Sequence, residues 1–185
     1  VGYRPIVWHL MRYYAHYGHK EFILALGYRG DMVRDYFLRF NECMSNDFVL
    51  SDGGRKVELM NSDSADWRIT FVDTGLHSNL GQRLMRVRKY VGDDEHFLAN
   101  YSDGLSDVDV NAFSHEVKQR GVVGGFVSVR PSQSFHAVRS EGDGTVTGME
   151  PVSKSDAWVN GGYFCFRREI FDYIEDGDEL VEKPF

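Results

Sequence analysis

Glu21-Phe22-Ile23-Leu24-Ala25-Leu26, closed by Gly27, is a short run that is apolar at every position after the first. Such a run is too short for an amphipathic helix, and its unbroken apolarity predicts a strand covered on both faces, as in a parallel sheet. Before it, residues 5–17 carry Ile6, Leu10, Tyr13, Tyr14 and Tyr17 at the spacing of one helix face, with Pro5 suited to the first turn and Gly18 to the stop. After it, residues 31–40 return to helical spacing, with Met32, Val33, Tyr36, Phe37 and Phe40 on one side. The first part of the chain therefore reads helix, strand, helix.

The alternation resumes after an interruption. Residues 47–61 hold Gly53-Gly54 between two short extended pieces, the pattern of a hairpin or flap. Residues 68–72 read as a strand, 80–91 as a basic helix, 96–101 as a strand, and 110–120 as a helix with Phe113 and Val117 inward. Residues 122–129 and 158–166 give further strands, Gly142 and Gly144 mark a turn between them, and 168–174 read as a closing helix. This succession predicts an α/β fold with a mostly parallel central sheet and helices on both faces. No repeat, low-complexity tract or linker divides it, so residues 1–185 are expected to form a single domain.

Composition narrows the function. With 42% apolar and 14% aromatic residues among 185, the chain can pack a full core. A formal charge of −7 argues against nucleic acid or an anionic membrane surface as partner, while a local basic cluster could still take a small anion. Cys43 and Cys165 lie far apart with no metal-ligand spacing and are expected to be reduced thiols. No apolar stretch reaches the length of a membrane span and the start lacks a signal-peptide layout, which predicts a cytoplasmic protein.

Ligands of open α/β sheets gather where strands end at their carboxyl side, and the polar residues concentrate there. Asp73-Thr74-Gly75 follows one strand; Ser102-Asp103-Gly104-Leu105-Ser106-Asp107 follows another. A carboxylate at Asp103 beside a glycine suits Mg²⁺ bridging substrate phosphates, since this ion takes one or two protein carboxylates and keeps its waters. Taken alone, these residues read more simply as an Asp-Gly turn with Asp107 capping the next helix. Arg86, Arg88 and Lys89 read as a solvated helix face, whereas Arg83 stands at a loop-helix junction where its fork could address a base carbonyl or a phosphate. Asn160-Gly161-Gly162 opens an apolar strand with an amide fit for sugar hydroxyls, or with an ordinary Asn-Gly turn.

In order along the chain, these pieces resemble one family. Gly2-Tyr3-Arg4-Pro5-Ile6-Val7-Trp8-His9 resembles the G-G-K-P-I-L-W-H segment of glucose-1-phosphate cytidylyltransferases. Val72-Asp73-Thr74-Gly75 and Gly81-Gln82-Arg83-Leu84 are similar to V-D-T-G and T-G-G-R-L, Tyr101 to Asp107 to Y-G-D-G-V-x-D, and Val159 to Phe164 to I-N-G-G-F-F. The resemblance implies a Rossmann-like nucleotidyltransferase fold and an enzyme joining CTP to α-D-glucose-1-phosphate, with CDP-glucose and pyrophosphate as products. It further implies that Asp103 holds Mg²⁺, that Ser78 and Arg83 contact the base, that Ser102 and Gly104 line the nucleotide, and that Asn160 and Gly161 bind the sugar. A homo-oligomer is also implied.

The departures count equally. The family's first strand, its G-G-x-G-T-R signature loop and a K-P-K-P are expected before Val1, and a second metal-binding aspartate beyond Phe185. The domain is thus expected to be incomplete at both ends, and these 185 residues alone inactive. Within the chain, Met149-Glu150-Pro151 aligns with the family's E-K-P, whose lysine meets the sugar phosphate. Lys154 is the nearby cation that could reach that phosphate instead, although a loop lysine is equally read as solvated. Gln82 and Ser102 replace glycines of the pattern. Another nucleoside triphosphate or sugar phosphate, or a module that binds a sugar nucleotide without catalysis, are the competing readings.

Overall fold

The structure is a computed structural model that describes residues 2–132 and 134–183. Its contacts divide into two compact units, Val1–Glu95 with Arg168–Phe185, and His96–Arg167.

In the first unit, helix α1 (Ile6–His16) precedes strand β1 (Glu21–Leu26) and helix α2 (Gly30–Arg39). Strands β2 (Phe48–Ser51) and β3 (Lys56–Leu59) form an antiparallel hairpin where Gly53-Gly54 predicts a turn, and strand β4 (Arg68–Asp73) leads to helix α3 (Leu80–Val87). The apolar run does become a parallel strand, although only Leu26 of it is buried, Phe22 to Leu24 being half-buried and Ala25 exposed. β1 pairs with β4 in register from Glu21 opposite Arg68 to Leu26 opposite Asp73. Parallel pairing brings both carboxyl ends to one edge, where the Thr74 amide donates to the Leu26 carbonyl at 2.8 Å.

The helix face of α1 is shifted from the expected stripe. Trp8, Leu10, Met11 and Tyr14 are buried while Ile6 is exposed, because Trp8 packs on Trp67 at 5.7 Å and the Arg4 guanidinium covers the other side of its ring at 3.5 Å. The basic helix also ends earlier than expected: α3 stops at Val87 and Arg88–Tyr90 continue as a 3₁₀ turn. Residues 168–174, expected as a helix, form a 3₁₀ segment over Arg168–Asp172 that buries Ile170 and Phe171.

In the second unit, strand β5 (His96–Asn100), helix α4 (Val110–Arg120) and strand β6 (Gly124–Val129) are followed by a hairpin of β7 (His136–Ser140) and β8 (Val146–Pro151) and by strand β9 (Val159–Arg167). β9 is central, antiparallel to β5 on one side and β6 on the other, and Gly162 to Phe166 are all buried. The fold is α/β, as the alternation predicts; among the described residues β1 and β4 pair in parallel and the other ladders are antiparallel. Val117 packs inward so tightly that a Cβ on Gly125 would stand 2.7 Å from its methyl group. Among the described residues, no helix is long and apolar enough to cross a membrane.

Candidate functional site

Two loops at strand ends carry the polar residues singled out above, one in each unit. The loop after β4 is built inward. Thr74 is wholly buried; its hydroxyl donates to the Leu26 carbonyl at 2.8 Å and accepts from the Arg83 guanidinium at 2.6 Å. The Thr74 carbonyl accepts from both Ser78 Oγ and the Arg86 guanidinium. Asp73 Oδ1 accepts from the Gly75 amide at 2.9 Å, closing a tight turn. α3 starts with a reciprocal cap, in which Asn79 Oδ1 accepts from the Gln82 amide at 2.8 Å and the Gln82 side chain accepts from the Asn79 amide at 3.2 Å.

Arg83 and Ser78 are therefore brought together on Thr74. The Arg83 guanidinium lies against Gly27, so that a side chain at that position would have to displace it. Arg86, expected as part of a solvated face, is instead a brace of this loop, because one helical turn beyond Gln82 points it back at the strand end. Arg88 pairs with Asp172 at 3.0 Å. Thr74 was legible only as a loop residue, since nothing in a sequence tells that a threonine hydroxyl will be buried between a carbonyl and an arginine.

The loop after β5 is built outward. Antiparallel pairing sets the carboxyl end of β5 against β9, with Asn100 opposite Tyr163, so the Ser102-Asp103-Gly104 turn comes beside Asn160-Gly161-Gly162, which fall within the start of β9 where the sequence also allows an Asn-Gly turn. The Tyr101 amide donates to the Gly162 carbonyl at 3.0 Å. Ser102 and Asp103 are exposed, and among the described residues the Asp103 carboxylate makes no hydrogen bond or ion pair. The helix-capping role falls to Asp109, whose Oδ1 accepts from the Ala112 amide at 2.9 Å, and not to Asp107.

On the β9 side, Asn160 Oδ1 accepts from the Gly162 amide at 2.8 Å and Asn160 Nδ2 donates to the Tyr101 hydroxyl at 3.3 Å. Gly161 lies close under Val127, whose carbonyl a Cβ would approach to 3.0 Å. Gly162 needs its positive φ of 76°, and a Cβ there would meet the Tyr101 ring at 2.7 Å. The buried Tyr163 hydroxyl donates to the Gly104 carbonyl at 3.0 Å. Burial pushes this phenol above its ordinary range, opposed in part by the neighbouring Asn100 amide and the Ser106 backbone.

Lys154 ends the 3₁₀ turn Val152–Lys154 and is exposed, with no ion pair among the described residues. Glu150, at the position of the pattern's lysine, lies on β8 and pairs with Arg139 across the hairpin at 2.5 Å. Cys43 and Cys165 are free thiols, and burial raises the pKa of Cys165.

Among the described residues, no cluster of three or more histidine, cysteine or carboxylate side chains could enclose a metal. The donor set fits an ion bound mainly by water and substrate: Asp103 offers one hard, unengaged oxygen ligand at a strand end, and Mg²⁺ at a phosphate site needs little more from the protein.

No protein-family model matches the chain. Curated relatives do. A "probable glucose-1-phosphate cytidylyltransferase" of Bacillus subtilis (strain 168) is 32% identical over 183 residues, covering 98% of this chain and 70% of the relative. The glucose-1-phosphate cytidylyltransferase of Salmonella typhi is 34% identical over 177 residues, covering 95% of this chain and 68% of its own length. Among solved structures, HddC from Yersinia pseudotuberculosis complexed with GMP-PN shares the fold at a TM-score of 0.62 and 18% identity, over 98% of this chain and 72% of that one. UDP-glucose pyrophosphorylase complexed with UDP-glucose follows at 0.60 and 12%, over 94% and 68%. Both are likenesses of fold alone, but the sequence identity to the curated relatives runs nearly end to end, and the chain belongs to the glucose-1-phosphate cytidylyltransferase family.

Proposed function

We propose that this protein joins CTP and α-D-glucose-1-phosphate to give CDP-glucose and pyrophosphate, and that residues 1–185 are part of one nucleotidyltransferase domain. The observation that carries the reading is Asp103: an exposed carboxylate, engaged by nothing among the described residues, at a strand end beside the start of β9, which offers an amide and two glycines. In the reaction, a phosphate oxygen of the sugar phosphate attacks the α-phosphorus of the triphosphate. One P–O bond forms as the bond to the β-phosphate oxygen breaks, and pyrophosphate leaves with its electron pair. No protein nucleophile is needed, so the chain's work is alignment of two anions and compensation of their charge.

In this reading Asp103 would hold Mg²⁺, which supplies charge neutralisation at the phosphates when bound. Ser102 and Gly104 would line the nucleotide, and Ser78 and Arg83 would serve its base. Support for the latter is indirect, since Arg83 is already fixed on Thr74 and so holds its remaining donors in a defined direction. Asn160 and Gly161 would bind the sugar, with Lys154 reaching its phosphate. A homo-oligomer working in the cytoplasm completes the reading; the charge of −7 supports an enzyme that leaves nucleic acid and anionic membranes alone.

One observation favours a second reading. Glu150 is tied to Arg139 where the pattern has a free lysine, which suits a different sugar phosphate or a module that binds without turnover. A pyrophosphate-release assay on the full-length protein decides, with CTP, UTP, GTP and dTTP each paired with glucose-1-phosphate and mannose-1-phosphate. Release with CTP and glucose-1-phosphate is expected; release with another pair alone moves the substrate assignment, and none from any pair defeats the enzyme reading.

A further inference from the structure

The turn after β5 and the first residues of β9 are joined by two tyrosines that reach in opposite directions. Tyr101 ends the β5 side, and its hydroxyl accepts from the amide of Asn160 on the β9 side at 3.3 Å. Tyr163 belongs to β9, and its hydroxyl donates to the carbonyl of Gly104 on the β5 side at 3.0 Å. Each of the two segments is thus tied to a side chain from the other.

Both braces stand on a rigid base. Tyr163 is 2% exposed and is anchored by pairing opposite Asn100. Tyr101 packs on Phe164 at 5.3 Å and over Gly162, where no Cβ could fit. Fixed aromatic rings deliver their hydroxyls at little further entropy cost, which makes them efficient supports for a turn that must keep its shape in water. The Tyr163 hydroxyl is also specific to this chain against the pattern given above, which has phenylalanine at that position; the same turn carries Ser102 in place of a glycine.

We propose that Tyr163 and Tyr101 are reciprocal positioning residues: Tyr163, from β9, sets the Asp103 turn for the metal-bound triphosphate, and Tyr101, at the head of the turn after β5, sets Asn160 at the start of β9 for the sugar. This rests on the substrate roles proposed above. Neither tyrosine touches a reacting atom, so each acts through the segment it holds. The assignment predicts a crossed effect, in which the segment carrying the substitution is not the one whose ligand suffers.

The test uses Y163F and Y101F in the full-length protein, with two readouts. In pyrophosphate-release kinetics, Y163F should raise the KM for the triphosphate and the Mg²⁺ requirement roughly three- to tenfold, the scale of one lost hydrogen bond, and leave the KM for sugar phosphate within about twofold. Y101F should do the reverse. In ligand-free protein, amide hydrogen exchange should speed up at residues 104–106 in Y163F and at residues 160–162 in Y101F. Equal effects of both variants on both KM values, or unchanged exchange in either segment, would overturn the proposal. Should the unsubstituted protein turn over no substrate pair, the proposed function fails and the exchange pattern alone upholds or rejects the brace.

Discussion

The loop after β4 and the loop after β5 begin from similar chemistry, an aspartate and a glycine at the end of an apolar strand, and end in opposite states. The first is consumed by its own structure: Thr74 is fully buried, and two arginines and a serine converge on it. The second is held from behind by Tyr163 and turns Asp103 to solvent. Satisfying a loop's polar groups internally makes it a rigid frame, while the carboxylate left unpaired on the second loop is what the proposed ligand site rests on. What distinguishes frame from site is thus the count of partners available to each group.

The sharpest break of that contrast is Asp103→Asn. It is expected to lower Mg²⁺-dependent pyrophosphate release by about a thousandfold or more while the melting temperature stays within about 2 °C, because the carboxylate is engaged by nothing in the fold among the described residues and, in the proposed reading, serves the substrate. Retained turnover would remove Asp103 from the metal role. Next in size is Thr74→Val, which removes the hydroxyl bond to the Leu26 carbonyl, still held by the backbone amide of residue 74, and leaves an Arg83 donor without its partner; it is expected to cost about 2 kcal/mol in urea denaturation. Ser102→Ala, on the open loop, should cost less than about 0.5 kcal/mol; similar losses for the two would erase the distinction between frame and site.

Gly162→Ala sharpens the picture of the open loop. It meets both a left-handed backbone and the Tyr101 ring, and should destabilise by about 1–3 kcal/mol in the same assay. The buried Tyr163 phenol gives a pH signature. Its folded pKa lies above the ordinary 10.0, so its contribution to stability is fully present below that value and is lost as pH rises through the raised one. Denaturation midpoints should therefore fall on the alkaline side more steeply for the unsubstituted protein than for Tyr163→Phe. Smallest of all, Glu150→Gln should change stability by less than about 0.5 kcal/mol, because the Arg139 partner is largely exposed.

Much of the fold was legible because burial writes a period into sequence. The apolar run Phe22–Leu26 became part of the parallel strand, and Gly53-Gly54 became part of the turn of the β2–β3 hairpin. The stripe on α1 was read less well, since Trp8 and Met11 are buried through contacts with distant residues such as Trp67. Ladder direction was also beyond the pattern: β9 runs antiparallel to both neighbours, and an apolar strand looks the same in either orientation. In the candidate site, Asp103 and Asn160 stand out as polar residues at strand ends, but Arg86 resembled any surface arginine until the helix turned it onto Thr74.

By itself, the sequence determined the elements, the family, and which residue types lie at strand ends, because periodicity, turn chemistry and ordered motifs are local properties of the chain. Only the tertiary structure decided which of those residues are spent on one another. That Arg83 and Ser78 close on Thr74, and that Tyr101 and Tyr163 tie the turn after β5 to the start of β9, depends on side chains 4 to 59 residues apart meeting in space. Hydrogen-bond partnership is a matter of distance and direction, and no one-dimensional pattern carries either.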